Sequence, residues 1–338
     1  MRYLGRTFET DNGVYFDWSG SGFEFVFEGT SAYAMLSGGE IPAADKDRAY
    51  VGVYVDGMPY LSARFRIDRE GEYPLAENLP FGVHTVKVIK DTEMWYGRVA
   101  VHSVLTDGKL LAPPEKKKIN IEFIGDSITC GYGNVCSTAS PDFVTREESF
   151  AESFAAKTGY MLDADISVVA ASGNGFYHDY GCSVNNVIPE LYMYQDKLLA
   201  QYLGLPLEIR EFDGEPCDFA VIKLGSNDWQ FCSGADLPEG EFTDEIAKER
   251  KAAFIGRAEE FFKTVKRLRP GATVILIYEN DLKLKEQLIT AAKRAGDIEL
   301  LEIVPKRVYE DVGANGHYSM YTHTRLANLL CKRIKELC

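Results

Sequence analysis

Up to about Leu111, apolar and polar positions alternate in short runs: Phe23-Glu24-Phe25-Val26-Phe27, Ala32-Tyr33-Ala34-Met35-Leu36, Val51-Gly52-Val53-Tyr54-Val55 and Val83-His84-Thr85-Val86-Lys87-Val88. Period two over such lengths predicts half-buried strands. Asp56-Gly57 follows one run and precedes Tyr60-Leu61-Ser62-Ala63-Arg64-Phe65, where a type I′ hairpin turn favours that dipeptide. No long helical stretch competes, so the region predicts an all-β sandwich. Leu111-Ala112-Pro113-Pro114-Glu115-Lys116-Lys117-Lys118 then carries two prolines and four charges. Such a segment separates regions of different rhythm, and it divides the chain into domains of residues 1–112 and 113–338.

Beyond it, buried strands are predicted at Ile119 to Ile124, Ile166 to Ala170, Phe219 to Leu224, Ala272 to Ile277 and Glu299 to Val304. Helical spacing runs over Glu148 to Thr158, Thr243 to Leu268, Lys283 to Ala295 and Thr322 to Leu337. Strand and helix in alternation imply an α/β domain, a parallel sheet with helices on both faces in three layers. Ligands of such sheets sit beyond the carboxyl ends of the strands, so the residues that follow each strand are the candidates for chemistry.

The first of these strands runs into Gly125-Asp126-Ser127-Ile128-Thr129-Cys130-Gly131-Tyr132-Gly133. A serine at a tight turn with glycines on both sides can expose its hydroxyl and leave its N–H free. Ser127 is thus a candidate nucleophile, and equally at home as part of a helix N-cap. The second strand ends at Ala171-Ser172-Gly173-Asn174-Gly175, where glycine lets a backbone N–H approach an oxyanion. The strand Phe219 to Leu224 ends at Gly225-Ser226-Asn227-Asp228-Trp229. Asn227 is either an amide donor to the same oxyanion or a turn residue satisfying local backbone. A base is then needed, and His317, in a loop between the last strand and the last helix, is the candidate. His84 and His102 fall in the β region, His178 follows the second glycine loop, and His323 is placed at the opening of the final helix.

Charge narrows the classes. With 37 Lys+Arg against 51 Asp+Glu the formal net charge is −14, and a chain this acidic lacks the Lys/Arg clusters that bind nucleic acid by counterion release. Lys116-Lys117-Lys118 is too short to supply one. No run reaches the roughly 18 apolar residues of a membrane span, and the N-terminus has no secretory core. The seven cysteines form no CxxC pair, which favours incidental thiols over a zinc site or a disulfide framework. The expectation is a cytoplasmic protein without nucleic-acid or membrane partners, whose oligomeric state the sequence leaves open.

Gly-Asp-Ser, a glycine loop, Gly-x-Asn-Asp and a late histidine together resemble the SGNH (GDSL-type) hydrolases. More closely, Phe16-Asp17-Trp18-Ser19-Gly20-Ser21-Gly22-Phe23-Glu24-Phe25 and Ile121-Glu122-Phe123-Ile124-Gly125-Asp126-Ser127-Ile128-Thr129-Cys130-Gly131-Tyr132-Gly133-Asn134 resemble the N-terminal jelly-roll and the nucleophile block of carbohydrate esterase family 2. The resemblance implies a jelly-roll sandwich followed by an SGNH-type α/β hydrolase domain. It further implies an enzyme that removes O-acetyl groups from plant polysaccharides such as mannan or xylan, or their oligosaccharides, often at a hexose 6-hydroxyl, with no metal or cofactor. By position, Ser127 matches the nucleophile, Gly173 and Asn227 match the oxyanion donors beside the Ser127 N–H, and His317 matches the base.

One position departs. Many members carry an aspartate two or three residues before the histidine, where this chain has Ala314 and Asn315. A Ser-His dyad is expected instead, with the Asn315 carbonyl or side-chain oxygen accepting from the imidazole. Trp229 and Tyr177, close to the glycine loops, are the candidate sugar platforms, and Trp95 is a candidate to bring the β domain to the cleft rim. Asp126 and Asp228 are read as holding their turns through backbone bonds. Two other classes stay open: an SGNH lipase or thioesterase, which needs a long acyl tunnel, and a non-catalytic carbohydrate-binding protein.

Overall fold

A computed structural model describes residues 1–38, 48–136, 143–305 and 312–338. The N-terminal strands are β1 (Arg2–Leu4), β2 (Phe8–Thr10), β3 (Gly13–Tyr15), β4 (Gly22–Gly29), β5 (Ala32–Ser37), β6 (Tyr50–Val55), β7 (Ala63–Arg66), β8 (Gly71–Ala76), β9 (Gly82–Lys90), β10 (Ala100–Thr106) and β11 (Lys109–Leu110). They form two antiparallel sheets, β1-β4-β9-β6-β7 with β11 on β4, and β2-β3-β10-β5-β8. Alternation puts Phe23, Phe25 and Phe27 on one face of β4, where the first two lie opposite Val88 and Val86 of β9. All five are buried between the sheets with Val51, Val53 and Leu36. Asp56 and Gly57 both have positive φ, 53° and 67°, as a type I′ turn demands, and Met58 N–H closes it on Val55 C=O at 3.2 Å. Pairing resumes only at Ala63 opposite Val53, so the connection is longer than a two-residue hairpin loop.

The second part contains β12 (Ile119–Gly125), α1 (Ser127–Cys130), α2 (Phe154–Met161), β13 (Ala164–Ala170), α3 (Ile188–Tyr192), α4 (Lys197–Leu203), β14 (Phe219–Lys223), α5 (Trp229–Cys232), α6 (Asp244–Leu268), β15 (Thr273–Glu279), α7 (Lys285–Ala295), β16 (Ile298–Ile303) and α8 (Met320–Leu337). Its sheet is parallel, in the order β13-β12-β14-β15-β16. Ile124, Ile222 and Leu276 pack with Phe254, Phe261, Phe262 and Leu288 of α6 and α7. On the other face, Phe123, Val221 and Ile275 meet Phe154 of α2 and Leu326, Leu330 and Ile334 of α8. Both faces are therefore apolar, which is why these strands read as continuous hydrophobic runs.

One predicted helix start shifts by several residues, and four short helices, α1, α3, α4 and α5, are additional. The helix expected over Glu148 to Thr158 begins only at Phe154, capped by Ser153, whose Oγ accepts from Ala156 N–H at 3.2 Å. Glu148 instead turns inward, fully buried, and accepts from Glu93 N–H at 2.7 Å. Helices α3 and α4 are too short to show a period of their own. Leu199 and Ala200 of α4 are buried against Phe8 of the sandwich, so the second domain's helix is completed by the first. Among the described residues no helix is long and apolar enough to cross a membrane.

The domains share buried contacts. Trp18, fully buried, belongs with Met94 to the core on the α6–α7 side of the parallel sheet. Glu122, in the middle of β12, takes the guanidinium of Arg269 at 2.9 and 3.0 Å, Tyr192 O–H at 2.7 Å and Arg6 of the sandwich domain at 3.4 Å. Burial alone would raise this carboxyl, but Arg269 and Arg6 outweigh it and bring it down to about 2. The stability contributed is thus present above the ordinary carboxylate value of 4.5 and lost as pH falls from there through about 2. Glu122→Gln leaves the buried Arg6 guanidinium with no carboxylate partner among the described residues and Arg269 with only Glu215 at 3.4 Å, and urea unfolding at neutral pH is expected to show a loss of about 3–5 kcal/mol. A loss under about 1 kcal/mol, the size of a surface pair, would show that the cluster does not hold the domains.

Candidate active site

The register aligns three strand ends. Gly125 of β12 lies opposite Ala170 of β13 and Lys223 of β14, so the loops after these strands emerge side by side, with that of β12 in the middle. Asp126 caps α1 by accepting Ile128 N–H at 3.0 Å, which places Ser127 at the first helical position. Gly131 then ends the turn at φ 90°. Among the described residues neither the Ser127 N–H nor the Gly173 N–H has a protein acceptor. Both are donors left for a ligand.

Asn227 donates one amide N–H to Asn174 C=O at 2.7 Å, so the second N–H of that group remains and its direction is set. The Asp228 carboxylate receives the N–H groups of Phe176, Tyr177 and His178 at 3.0, 2.8 and 3.0 Å, tying the loop after β14 to the loop after β13. Burial pushes this carboxyl up to about 6, against the three donors. Gly175 must be glycine here, since a Cβ would strike His178 C=O and the Asp228 carboxylate.

His317 arrives from the opposite side. Its Nε2 is 2.8 Å from Ser127 Oγ and its Nδ1 is 3.1 Å from Ala314 C=O, so with the proton on Nδ1 the lone pair of Nε2 faces the serine hydroxyl. The expected orienting group was Asn315. The acceptor that the geometry gives is the main chain one residue earlier, because Asn315 sits at φ 53° and its amide reaches away to Tyr132 O–H at 3.0 Å. The loop is docked by backbone: Ala314 N–H donates to Gly133 C=O at 3.0 Å. Gly133 has φ 62°, and a Cβ on it would meet Ala314 N at 2.8 Å. Tyr132 covers the imidazole with ring centroids 4.5 Å apart and is itself stacked on Phe143 at 3.8 Å.

Burial lowers the His317 pKa from the ordinary 6.5, against the opposing pull of the Ala314 and Asn315 carbonyls. The other histidines are engaged elsewhere. His323 lies within α8, past its first turn, and accepts Phe154 N–H at 3.1 Å with its pKa pushed to about 3 by burial. His178 stacks on Phe231 at 3.5 Å, and His84 bonds Asp56 at 2.8 Å. His102 lies beside Ser37 Oγ at 2.8 Å. Among the described residues no group of three or more His, Cys, Asp or Glu is arranged to hold a metal ion.

A cleft of about 280 Å³ opens at Gly173, lined by Trp95, Ser172, Asn174, Asp179 and Tyr180 among others. Trp229 and Tyr177, the aromatic residues singled out from sequence, do not line it. Trp229 packs against the α/β core, and Tyr177 packs edge-on to Phe231, with the Arg257 guanidinium 5.3 Å above its ring. Proximity in sequence to a glycine loop does not separate a ring that fills the core from one that faces solvent. The exposed rings at the cleft are Trp95, 44% accessible, and Tyr180, 63%. Trp95 comes from the sandwich domain and was placed at the cleft rim from its position in Thr92–Gly97; Tyr132 and Gly133 fall in the glycine-flanked block after Ser127 without a role of their own, and Tyr180 carried no signal.

A serine hydroxyl bonded to a backbone-oriented histidine, beside N–H donors on adjacent strand ends, is an arrangement that can carry nucleophilic acyl transfer. Residues 3–114 match the carbohydrate esterase 2 N-terminal family model. The chain is 29% identical over 99% of its length to the cellulase/esterase CelE of Acetivibrio thermocellus, of which it spans 39%. It is 28% identical to an acetylxylan esterase / glucomannan deacetylase of Cellvibrio japonicus, over 95% of this chain and 85% of that one. Among solved structures, a family two carbohydrate esterase from Clostridium thermocellum in complex with cellohexaose aligns with a TM-score of 0.82 at 28% identity, covering 99% and 98% of the two chains. Residues 3–114 thus carry the carbohydrate esterase 2 N-terminal domain, and over nearly its whole length the chain is similar to carbohydrate esterases at 28–29% identity.

Two outcomes test the geometry without any substrate. The His317 imidazole, followed by NMR, is expected to titrate below pH 6.5, and a midpoint at or above 6.5 would contradict its burial. Gly133→Ala should push Ala314 and the histidine outward, so that this midpoint moves back up toward the ordinary value.

Proposed function

We propose that this protein is a carbohydrate O-acetyl esterase, acting on acetylated oligosaccharides of the mannan or xylan kind, including acetyl groups on a hexose 6-hydroxyl. The observation that carries the reading is the 2.8 Å contact between Ser127 Oγ and a His317 ring locked through Nδ1. His317 Nε2 takes the proton as Ser127 Oγ attacks the acetyl carbonyl. The carbonyl π electrons move to its oxygen, which the Ser127 N–H, the Gly173 N–H and the free Asn227 N–H stabilise. As the tetrahedral intermediate collapses, the bond to the sugar oxygen breaks and His317 gives that oxygen its proton. Water, activated by the same imidazole, then releases acetate from Ser127.

The acceptor on Nδ1 is a neutral carbonyl. It fixes the tautomer but stabilises imidazolium less than a carboxylate would, and the lowered pKa keeps the base in its active form to lower pH. The exposed rings of Trp95 and Tyr180, with Asn174 and Asp179 between them, suit a pyranose, which presents an apolar face and a rim of hydroxyls. The fit is to a sugar leaving group rather than to a long acyl chain.

Acetate release from acetylated manno- and xylo-oligosaccharides, with product masses, tests this directly. Wild type is expected to shed acetyl groups and Ser127→Ala to lose at least about 10³-fold in kcat. Full activity in Ser127→Ala would remove the nucleophile assignment, and glycan retention without any acetate release would favour a binding protein. Among 4-nitrophenyl esters, acetate should be turned over well ahead of octanoate, and the reverse order would indicate a lipase-type acyl site.

A further inference from the structure

The loop that carries Gly173 is held from outside its own domain. The chain leaves β9 at Lys90, a fully buried residue whose Nζ donates to Glu93 C=O at 2.7 Å and pairs with Asp17 at 3.4 Å. It then enters the α/β domain. Asp91 Oδ1 accepts Ser149 Oγ–H at 3.1 Å and Ala151 N–H at 2.8 Å, and Met94 joins the core on the α6–α7 side of the sheet. Within this anchored segment, Glu93 Oε2 accepts Ser172 N–H at 2.6 Å, and Trp95 Nε1–H donates to Ser172 C=O at 3.2 Å.

The Ser172 carbonyl and the Gly173 N–H belong to one peptide plane. A donor fixed on that carbonyl turns the opposite edge of the plane, the N–H, to a set direction, and it polarises that N–H toward stronger donation. Glycine at φ 79° has wide freedom otherwise, so the orientation has to come from its neighbours. Tyr180 N–H holds Gly173 C=O at 2.7 Å on the far side, which leaves the near plane to Trp95, while Glu93 fixes the preceding plane through Ser172 N–H.

We propose that Trp95 and Glu93, both from the N-terminal domain, are positioning residues that aim the Gly173 N–H at the oxyanion, so that the sandwich domain is part of the catalytic apparatus. This rests on the Ser127 esterase reading above and extends it to the coupling between the domains. Glu93 has an acceptor oxygen whether or not its buried carboxyl is ionised, and Trp95, being partly exposed, can lose its N–H with little change in packing.

The test is turnover of 4-nitrophenyl acetate, which carries no sugar, by full-length Trp95→Phe, Glu93→Ala and Glu93→Gln, with inhibition by methaneboronic acid as a tetrahedral analogue. Trp95→Phe keeps a ring and removes the donor. It is expected to lower kcat about tenfold, part of the 10²–10³ that loss of a whole oxyanion donor costs, with KM within about twofold. The boronic acid Ki should rise by the same factor while the thermal midpoint holds. Glu93→Ala should behave alike, and Glu93→Gln, which still offers a carbonyl oxygen to Ser172 N–H, should regain activity to within about threefold of wild type.

Should Glu93→Ala fail to fold, Trp95→Phe alone decides the matter. A folded Trp95→Phe with kcat and boronate Ki within about twofold of wild type overturns the proposal. So does a loss of activity that tracks melting temperature with boronate binding unchanged. Ser127→Ala run alongside separates the cases: if it stays active, the underlying esterase reading has failed instead.

Discussion

The site depends on one close approach of two backbones. Gly133, at positive φ in the turn after Ser127, lies so near Ala314 that a Cβ on it would strike the Ala314 backbone and side chain. The bond from Ala314 N–H to Gly133 C=O seals the contact. Ala314 C=O, in the same residue, is the acceptor for the His317 imidazole. The distance between Ser127 and its histidine is therefore set by main chain at both ends, and no carboxylate is required to complete it. What is given up is charge: a carbonyl dipole supports imidazolium less than an anion does, and burial lowers the pKa of the base further.

Around this contact the two domains act as one body. Glu122 on the central strand binds Arg6 of the sandwich and Arg269 of the α/β domain, and Trp18 fills a core that is otherwise made by the parallel sheet and its helices. A buried carboxylate between two guanidiniums tolerates little displacement, because each charge stays desolvated and must keep its partner. That rigidity lets a segment of one domain reach into the other and hold a loop there. The Asp228 carboxylate provides the same service from within the α/β domain, collecting three consecutive N–H groups of the loop after β13.

The sandwich and the parallel sheet are legible in the chain because their period is local. Phe23, Phe25 and Phe27 declare one face of a strand, and Ile124, Ile222 and Leu276 fall in runs too apolar to be anything but buried. Ser127, Gly173, Asn227 and His317 stood out since each follows a strand or precedes the last helix, and the structure gathers their loops at one edge of the sheet. Contacts that depend on docking left less trace: α4 is defined by Phe8 of the other domain and Glu93 meets Ser172 across 79 residues of chain, while Trp95 was placed at the cleft rim without its bond to Ser172. Trp229 and Tyr177, both half-buried, lie outside the cleft at Gly173, where the exposed rings are Trp95 and Tyr180. At Asn315 the side-chain alternative fails, since the left-handed conformation turns its amide to Tyr132, and the imidazole is left to main-chain carbonyls, Ala314 at 3.1 Å with Asn315 beside it.

In the proposed reaction Ser127, activated by a histidine placed through main chain alone, carries the acetyl group between sugar and water. Acid quenching during turnover of 4-nitrophenyl acetate, followed by proteolysis and mass spectrometry, tests it most directly. A single acetylated peptide is expected, with the acetyl group on Ser127 and absent in His317→Ala. Steady turnover with no acetyl on Ser127, or with the acetyl group on another residue, would contradict it.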